Sequence, residues 1–322
     1  MVRDLDLVHP ELRPMMEKPR NLSFNRYNLW FIRLLIGLQK KPKMPEDIKI
    51  DNIYVKSQDS KYNIRLRVYK SKTIASPAPV LVWMHGGGFI IGKPELDDTC
   101  LIQFARELGI VIVSIDYRSA PEHPFPAPLD DCYTALKWVH SHAQTMGIDP
   151  ERLAIGGESA GGGLAAALVQ MAHDRNEVKP FFQMLVYAML DDRSSIRPDM
   201  PNKELMGWTQ DNNRFGWESY LKQKCGSDNI PPYSVPSRRE DLTGLPPTWM
   251  CVGTLDLFYE EDVAYSQKLK NCSVDCELLV IPGVPHGFDI IGTELQLVKD
   301  FRKTQIAVLK NHMFPDSVKT VI

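Results

Sequence analysis

A serine lies at the centre of the pentapeptide Gly157-Glu158-Ser159-Ala160-Gly161, a Gly-x-Ser-x-Gly pattern. The preceding run, Arg152 to Gly156, has the length and the β-branched apolar character of a buried strand, and the run Leu164 to Ala172 favours helix. A strand that turns directly into a helix strains the corner residue, and small flanking glycines leave room for such a turn. The pattern therefore predicts an exposed serine hydroxyl at the amino end of a helix, where a developing negative charge is stabilised.

A serine hydroxyl is a weak nucleophile at neutral pH, so Ser159 requires a general base. His286 follows a predicted strand that ends at Ile281 and lies within Pro285-His286-Gly287-Phe288. It is the predicted base, because a residue just beyond a strand lies at the carboxyl edge of the sheet, as Ser159 does.

The base in turn requires a carboxylate that orients it. Asp256 is the predicted acid because it lies just beyond the predicted strand Thr248 to Gly253. Asp262 falls inside a predicted helix and Asp275 precedes a strand, so both would be directed elsewhere. The order serine, aspartate, histidine is the one expected on a sheet of this type.

Donors for a tetrahedral oxyanion are predicted in His85-Gly86-Gly87-Gly88-Phe89, which we call the glycine loop. Glycines allow backbone N–H groups to face a ligand without side-chain obstruction. We expect the N–H groups of Gly87, Gly88 and Ala160 to form the oxyanion hole. His85 is expected to hold the loop by hydrogen bonds rather than to titrate.

The amino-acid composition indicates which partners and which cellular location to expect. The 322 residues include 38 basic and 40 acidic side chains that are well mixed along the chain. This distribution predicts a small-molecule substrate and no nucleic acid partner. The six cysteines lack metal-ligand spacing and indicate reduced thiols; we predict no metal, no cofactor and a cytoplasmic location. The first residues lack the apolar segment of a secretory signal. The longest apolar stretch, Leu29 to Leu38, is too short to span a bilayer, so no integral membrane association is predicted.

The elements that must position these residues follow an α/β pattern. Two alternating runs, Ile50 to Val55 and Ile64 to Tyr69, predict an antiparallel hairpin. Buried strands and helices then alternate, which predicts a doubly wound, mostly parallel sheet. The further strands are predicted at Pro79–Met84, Ile110–Ile115, Phe181–Tyr187 and Cys276–Ile281, and the helices at Asp97–Leu108, Leu129–Ala143, Glu260–Leu269 and Leu295–Leu309.

Two segments do not fit this alternation and are predicted to form a helical cap over the carboxyl ends of the strands. The predicted division is 1–45 as the amino-terminal part of the cap, 46–193 as the first part of the core, 194–244 as the inserted cap segment and 245–322 as the second part of the core.

The amino-terminal cap segment contains a predicted helix, Phe24 to Leu38, whose apolar residues cover most of its surface and need cover on more than one side. A helix lying in a membrane interface is the alternative, disfavoured by two arginines and no cationic face. A cap that brought Trp30, Phe215 and Trp217 near the acyl site would favour small acids.

These motifs resemble the hormone-sensitive-lipase-like carboxylesterases of the α/β-hydrolase fold, the bacterial family IV enzymes. The resemblance rests on the glycine loop, the stretch Asp116 to Ala127, the serine pentapeptide with its extra Gly162, and Asp256 and His286 in order. It extends from about residue 48 to the end. It implies that the stretch Asp116 to Ala127 stabilises the active-site loops.

The resemblance implies a serine carboxylesterase acting on short to medium acyl esters through an acyl-enzyme. An amide-hydrolysing enzyme with the same triad is an alternative, because fold and triad do not choose the leaving group. A receptor is another alternative, since the plant gibberellin receptors resemble this family but lack the catalytic histidine.

Two positions depart from the family pattern: Glu158 stands where many relatives have Asp, and Leu257 stands where Pro is frequent. The edge strand near Cys276 to Ile281 could pair across a homodimer.

Overall fold

The computed structural model of the protein describes residues 4–17, 22–38, 45–198, 205 and 207–315. Its strands are β1 Ile48–Lys56, β2 Asn63–Ser71, β3 Ala78–Met84, β4 Val111–Asp116, β5 Ile148–Glu158, β6 Phe182–Val186, β7 Thr248–Gly253 and β8 Cys276–Ile281. They form one sheet in the order β1-β2-β4-β3-β5-β6-β7-β8. Only β2 runs against the others, since it pairs antiparallel with β1 and β4 while all other pairs are parallel. The carboxyl ends of β3, β5, β7 and β8 therefore lie at one edge.

Helices cover both faces of the sheet. They are α1 Arg13–Met16, α2 Leu29–Leu38, α3 Asp98–Leu108, α4 Ala127–Ser141, α5 Ala143–Met146, α6 Ala160–Arg175, α7 Gln210–Leu221, α8 Tyr259–Asn271, α9 Phe288–Ile291 and α10 Gln296–Met313. Successive side chains of a strand point to opposite faces, so Val80 and Val82 pack with α4 and α6 whereas Leu81 and Trp83 pack with α3 and α10. The predicted doubly wound sheet is confirmed.

The amino-terminal helix is shorter than the sequence predicts. The predicted start at Phe24 is wrong, because α2 begins at Leu29. Asn25 Oδ1 accepts hydrogen bonds from the N–H groups of Tyr27 and Asn28, and the N–H of Asn25 donates to Asn28 Oδ1. Such local side-chain bonds compete with helical hydrogen bonds, so the apolar pattern extends further than the helix.

The two predicted cap segments contact each other. The N–H of Phe24 donates to Asn212 Oδ1 at 2.9 Å, and Asn212 Nδ2 donates to the Leu22 carbonyl at 2.7 Å. The ring of Phe24 lies 5.5 Å from that of Trp208. The boundaries at 45, 193 and 244 stay predictions, and residues 1–3, 18–21, 39–44, 199–204 and 206 of these segments lie outside the described residues.

Of the three aromatic residues named for the acyl site, only Trp217 is fully buried, with its ring 5.0 Å from Phe89. Phe215 is partly buried, and Trp30 is 66% exposed on the outside of α2. Within the described ranges, none of the helices is both long and apolar enough to cross a bilayer. Strand β8 forms one edge of the sheet, and the homodimer across it stays a prediction.

Candidate active site

The turn Gly157–Gly161, which we call the elbow, joins β5 directly to α6. Ser159 at its corner has φ +53° and ψ −122°, a backbone conformation that residues other than glycine rarely adopt. A Cβ at Gly157 would lie 2.4 Å from the Gly161 carbonyl oxygen, and a Cβ at Gly161 would lie 2.1 Å from that of Met84. The two glycines are therefore required by the close approach of backbone, as the sequence pattern predicts.

The structure brings the predicted serine, histidine and aspartate together. His286 Nε2 lies 2.8 Å from Ser159 Oγ, and His286 Nδ1 lies 2.8 Å from Asp256 Oδ2. Because the Asp256 carboxylate can only accept, Nδ1 carries the proton and Nε2 is the nitrogen that accepts from the serine hydroxyl. This arrangement can remove a proton from Ser159 as its oxygen attacks.

The surroundings hold His286 and Asp256 in this orientation. The Asp256 side chain is fully buried, and its other oxygen, Oδ1, accepts from the N–H of Phe258 at 2.9 Å. The rings of Tyr187 and Phe258 meet the imidazole edge-on at 4.7 and 4.9 Å. The aspartate is in place although Leu257 replaces the proline frequent in the resembling family. Of the two rivals, Asp275 is exposed and Asp262 is buried in α8.

The glycine loop is held from behind by the stretch that follows β4. The hydroxyl of Tyr117 donates to the His85 carbonyl at 2.8 Å, and the two rings stack at 4.3 Å. His85 Nδ1 donates to the Gly86 carbonyl, and burial lowers the pKa of His85, so the ring stays neutral. The N–H of Ala120 donates to the Phe89 carbonyl at 2.9 Å. His85 thus supports the loop, as expected.

The predicted oxyanion donors follow β3 and begin α6. Gly87 and Gly88 have φ of +122° and +59°, and Ala160 is the first residue of α6. Among the described residues, no backbone hydrogen bond outside regular elements uses the N–H of these three residues. They remain available to an oxygen that approaches Ser159.

A buried polar network behind the elbow was not predicted. The Tyr187 hydroxyl donates to Asp289 Oδ1 at 2.8 Å and lies 3.1 Å from Glu158 Oε2, and Arg302 Nη2 donates to Asp289 Oδ2 at 2.6 Å. Burial, with the nearby charges of Asp97 and Asp289, raises the pKa of Glu158 well above its usual range. Burial thus favours the neutral form of Glu158, which lies directly before Ser159 and contacts the Tyr187 hydroxyl. These residues are far apart in sequence, so their spacing gave no signal.

A second unpredicted pair lies in α8, beside the segment that follows β6. Glu261 Oε1 accepts from the N–H groups of Leu190 and Asp191 at 2.7 and 3.2 Å, and Glu261 Oε2 accepts from Ser194 Oγ. Asp262 is fully buried, and the backbone N–H of Ala188 is the group directed at its carboxyl, although the described residues make no hydrogen bond of ordinary geometry to it. Burial raises the pKa of Asp262 well above its usual range, with a further contribution from Glu261.

Two neighbouring aspartates that follow β6, Asp191 and Asp192, have structural roles. Asp192 is fully buried and accepts from Arg238 and from the N–H of Gly226, and Asp191 pairs with Arg193. These contacts give both aspartates a structural role. In the part of the chain that the structure describes, no group of three or more His, Cys, Asp or Glu residues is placed to hold a metal ion.

Comparisons with known proteins identify the family to which the chain is similar. A sequence model of the family described as alpha/beta hydrolase fold matches residues 81–290. The carboxylesterase NlhH of Mycobacterium tuberculosis is 31% identical over 254 residues, 78% of this chain and 79% of that one. The ethyl acetate hydrolase of Pseudomonas putida is 27% identical over 274 residues, 84% and 85% of the two chains. The solved structure of a bacterial heroin esterase superposes with a TM-score of 0.88 at 33% identity, covering 96% of this chain and 99% of that one.

Proposed function

Because the chain belongs to the α/β-hydrolase family, we propose that it is a serine carboxylesterase that hydrolyses short to medium acyl esters through an acyl-enzyme. The observation that carries the proposal is the hydrogen-bonded series Ser159, His286 and Asp256 at the elbow, with 2.8 Å at each step. Without a base in contact, a serine hydroxyl would be too weak a nucleophile at neutral pH.

In the acylation step, Ser159 Oγ attacks the ester carbonyl carbon and its proton passes to His286 Nε2. Asp256 stabilises the imidazolium that forms and keeps its Nδ1–H directed inward. The former carbonyl oxygen becomes an oxyanion that accepts hydrogen bonds from the N–H groups of Gly87, Gly88 and Ala160. When the intermediate collapses, the carbon–oxygen bond to the alkoxy group breaks, and the departing alcohol takes the proton from Nε2.

The deacylation step repeats this chemistry with water. His286 removes a proton from a water molecule, whose oxygen adds to the acyl carbon of the ester formed on Ser159. The second intermediate uses the same donors. Its collapse returns the proton to Ser159 Oγ and releases the carboxylic acid, so the enzyme is unchanged.

Two observations support short to medium acyl groups. One relative is named for the hydrolysis of ethyl acetate, a small ester. In this chain the glycine loop is surrounded by large rings, because Phe89 stacks on Tyr220 at 4.2 Å and lies 5.0 Å from Trp217, and Gly88 lies beside Trp208. These buried rings fill the space against the loop, and we infer that a long acyl group would find little room on that side.

The receptor alternative is disfavoured because His286 is present and contacts Ser159. No contact of the described residues favours an amide over an ester, and the esterase names of the relatives support the ester. A cytoplasmic location stays a prediction.

The direct test is hydrolysis of 4-nitrophenyl acetate by Ser159→Ala. We expect kcat to fall by about 10⁴-fold or more, because the loss of a triad nucleophile leaves only binding and oxyanion stabilisation. Ser114→Ala is the matched control, since Ser114 is also buried and its Oγ has no partner among the described residues. Activity of Ser159→Ala within a few-fold of the control would refute the mechanism.

A further inference from the structure

One side of α2 is an exposed apolar surface. We call it the outer face, and its five large side chains share that side of the helix: Trp30, Phe31, Leu34, Leu35 and Leu38. Trp30 is 66% exposed and Leu38 is 70% exposed. The opposite side carries Leu29 and Ile32, which are buried in the core. The helix thus has apolar residues on both sides, and the described residues of the fold bury only one of them.

The exposed apolar area extends beyond the helix. Tyr27, in the turn before α2, is 76% exposed, and Leu22 is exposed as well. Monomeric proteins rarely leave an apolar patch of several adjacent large side chains in water unless it binds something. The outer face therefore requires an occupant that accepts aromatic and aliphatic side chains.

The charge of the surrounding sequence indicates which occupant. Residues 18 to 45 contain seven basic side chains and no acidic one, although the whole chain has a net charge of −2. The basic residues are Lys18, Arg20, Arg26, Arg33, Lys40, Lys41 and Lys43. All but Arg33 flank α2 in the sequence rather than lie within it, which explains why the helix alone shows no cationic face. Arg33 pairs with Glu122 at the protein surface, with 2.9 Å between Arg33 Nη1 and Glu122 Oε2.

An apolar face with basic flanks suits the surface of an anionic membrane. Trp, Phe and Leu side chains bury at the boundary between headgroups and acyl chains, while Lys and Arg attract anionic headgroups. A second copy of this chain fits less well, because its sequence carries the same excess of basic residues around α2 and like charges repel. We propose that the outer face of α2 docks the protein on the surface of an anionic phospholipid bilayer.

The same segment contacts the active-site loops from its inner side. Arg33 Nε donates to the Ile90 carbonyl at 2.8 Å, and Arg33 Nη2 donates to the Ala120 carbonyl at 2.6 Å. Docking would therefore bring the glycine loop close to the lipid surface and favour esters that partition into membranes. That consequence rests on the proposed esterase function, whereas the docking itself does not.

The test is co-sedimentation of the full chain with vesicles of phosphatidylcholine alone or with roughly 30% phosphatidylglycerol, at about 0.1 and 0.5 M salt. We expect binding to the phosphatidylglycerol vesicles that weakens at the higher salt. Trp30→Ser/Leu38→Ser should weaken the partition coefficient by about tenfold or more, because two large side chains no longer enter the interface. Tyr54→Ser/Ile290→Ser is the matched control, since these side chains are 65% and 62% exposed elsewhere on the protein, and it should bind like the wild type.

The proposal is overturned if the wild type does not sediment with anionic vesicles, or if Trp30→Ser/Leu38→Ser binds as well as the control. A dimer in sedimentation velocity that this variant abolishes, without vesicle binding, would assign the outer face to a second copy instead. Hydrolysis of a water-soluble ester by the same variants separates the two proposals. Loss of vesicle binding with that activity retained supports docking, while inactivity of the wild type would refute only the esterase function.

Discussion

A methyl group at position 88 would disturb the proposed oxyanion donors. Gly88 has φ +59°, and a Cβ there would lie 2.5 Å from Cζ2 and 2.7 Å from Cη2 of Trp208. The indole cannot easily move away, because it is 9% exposed, packs on Phe24 at 5.5 Å and donates from Nε1 to Asn213 Oδ1 at 3.3 Å. We therefore predict that Gly88→Ala displaces the glycine loop rather than the ring.

The expected loss follows from the size of this displacement. Carbon atoms in contact are normally about 3.5–4.0 Å apart, so the methyl group and the ring must separate by about 1 Å. A misplacement of that size near the reacting atoms costs about 100-fold in rate, and loss of one oxyanion donor costs about 10²–10³-fold in kcat. The alanine must also adopt a left-handed backbone conformation at this position, which lowers the unfolding free energy by roughly 1–2 kcal/mol. We expect kcat to fall about 100-fold or more for Gly88→Ala.

Gly109→Ala separates backbone strain from the clash. Gly109 has φ +62° at the end of α3, and no atom of the described residues lies within 4 Å of an added Cβ. It should lose stability by roughly the same 1–2 kcal/mol while kcat is unchanged. Initial rates on 4-nitrophenyl acetate give kcat and KM for both variants, and urea unfolding gives their stability. If Gly88→Ala kept kcat within threefold of Gly109→Ala, the proposed role of the Gly88 N–H would be wrong.

Two further variants test the buried polar groups. The raised pKa of Asp262 means that the folded protein binds its proton more tightly than the unfolded chain, so the stability it contributes is present at low pH and is lost as the pH rises above about 4. The unfolding free energy of Asp262→Asn should therefore rise relative to that of the wild type, by up to about 1.4 kcal/mol for each pH unit above that point. Urea titrations of both proteins at pH 4 and pH 7 test this, and the same difference between variant and wild type at both pH values would contradict it. Tyr117→Phe leaves the buried His85 carbonyl without its donor, which should cost about 1–3 kcal/mol of stability and lower kcat more than KM; an unchanged kcat would show that the hydroxyl does not position the glycine loop.

The sequence predicted the sheet and the candidate triad because their signals are local. The run Pro79 to Met84 is apolar throughout, as expected of a strand buried on both faces, and β3 has nearly these bounds. The family resemblance was carried by short motifs and is confirmed. Ser159, His286 and Asp256 each follow a predicted strand, and parallel strands bring their carboxyl ends to one edge.

The parts that were not predicted depend on distant contacts or on competing local bonds. Glu158, Tyr187, Asp289 and Arg302 meet only because the elbow, β6, α9 and α10 converge, and no motif connects them. The start of α2 was misplaced because asparagine side chains replace the first helical hydrogen bonds. The exposure of Trp30 could not be predicted because both sides of α2 are apolar, and only the packing of the rest of the fold decides which side is covered.

The central claim is that Ser159 forms the covalent intermediate, and labelling with a fluorophosphonate followed by mass spectrometry tests it most directly. Such a reagent reacts with a serine only where a base and an oxyanion hole activate it. We predict one adduct per chain, located on the peptide that contains Ser159, with loss of esterase activity in proportion to labelling and no adduct in Ser159→Ala. An active, folded protein that took no label, or that was labelled at another residue, would contradict the mechanism.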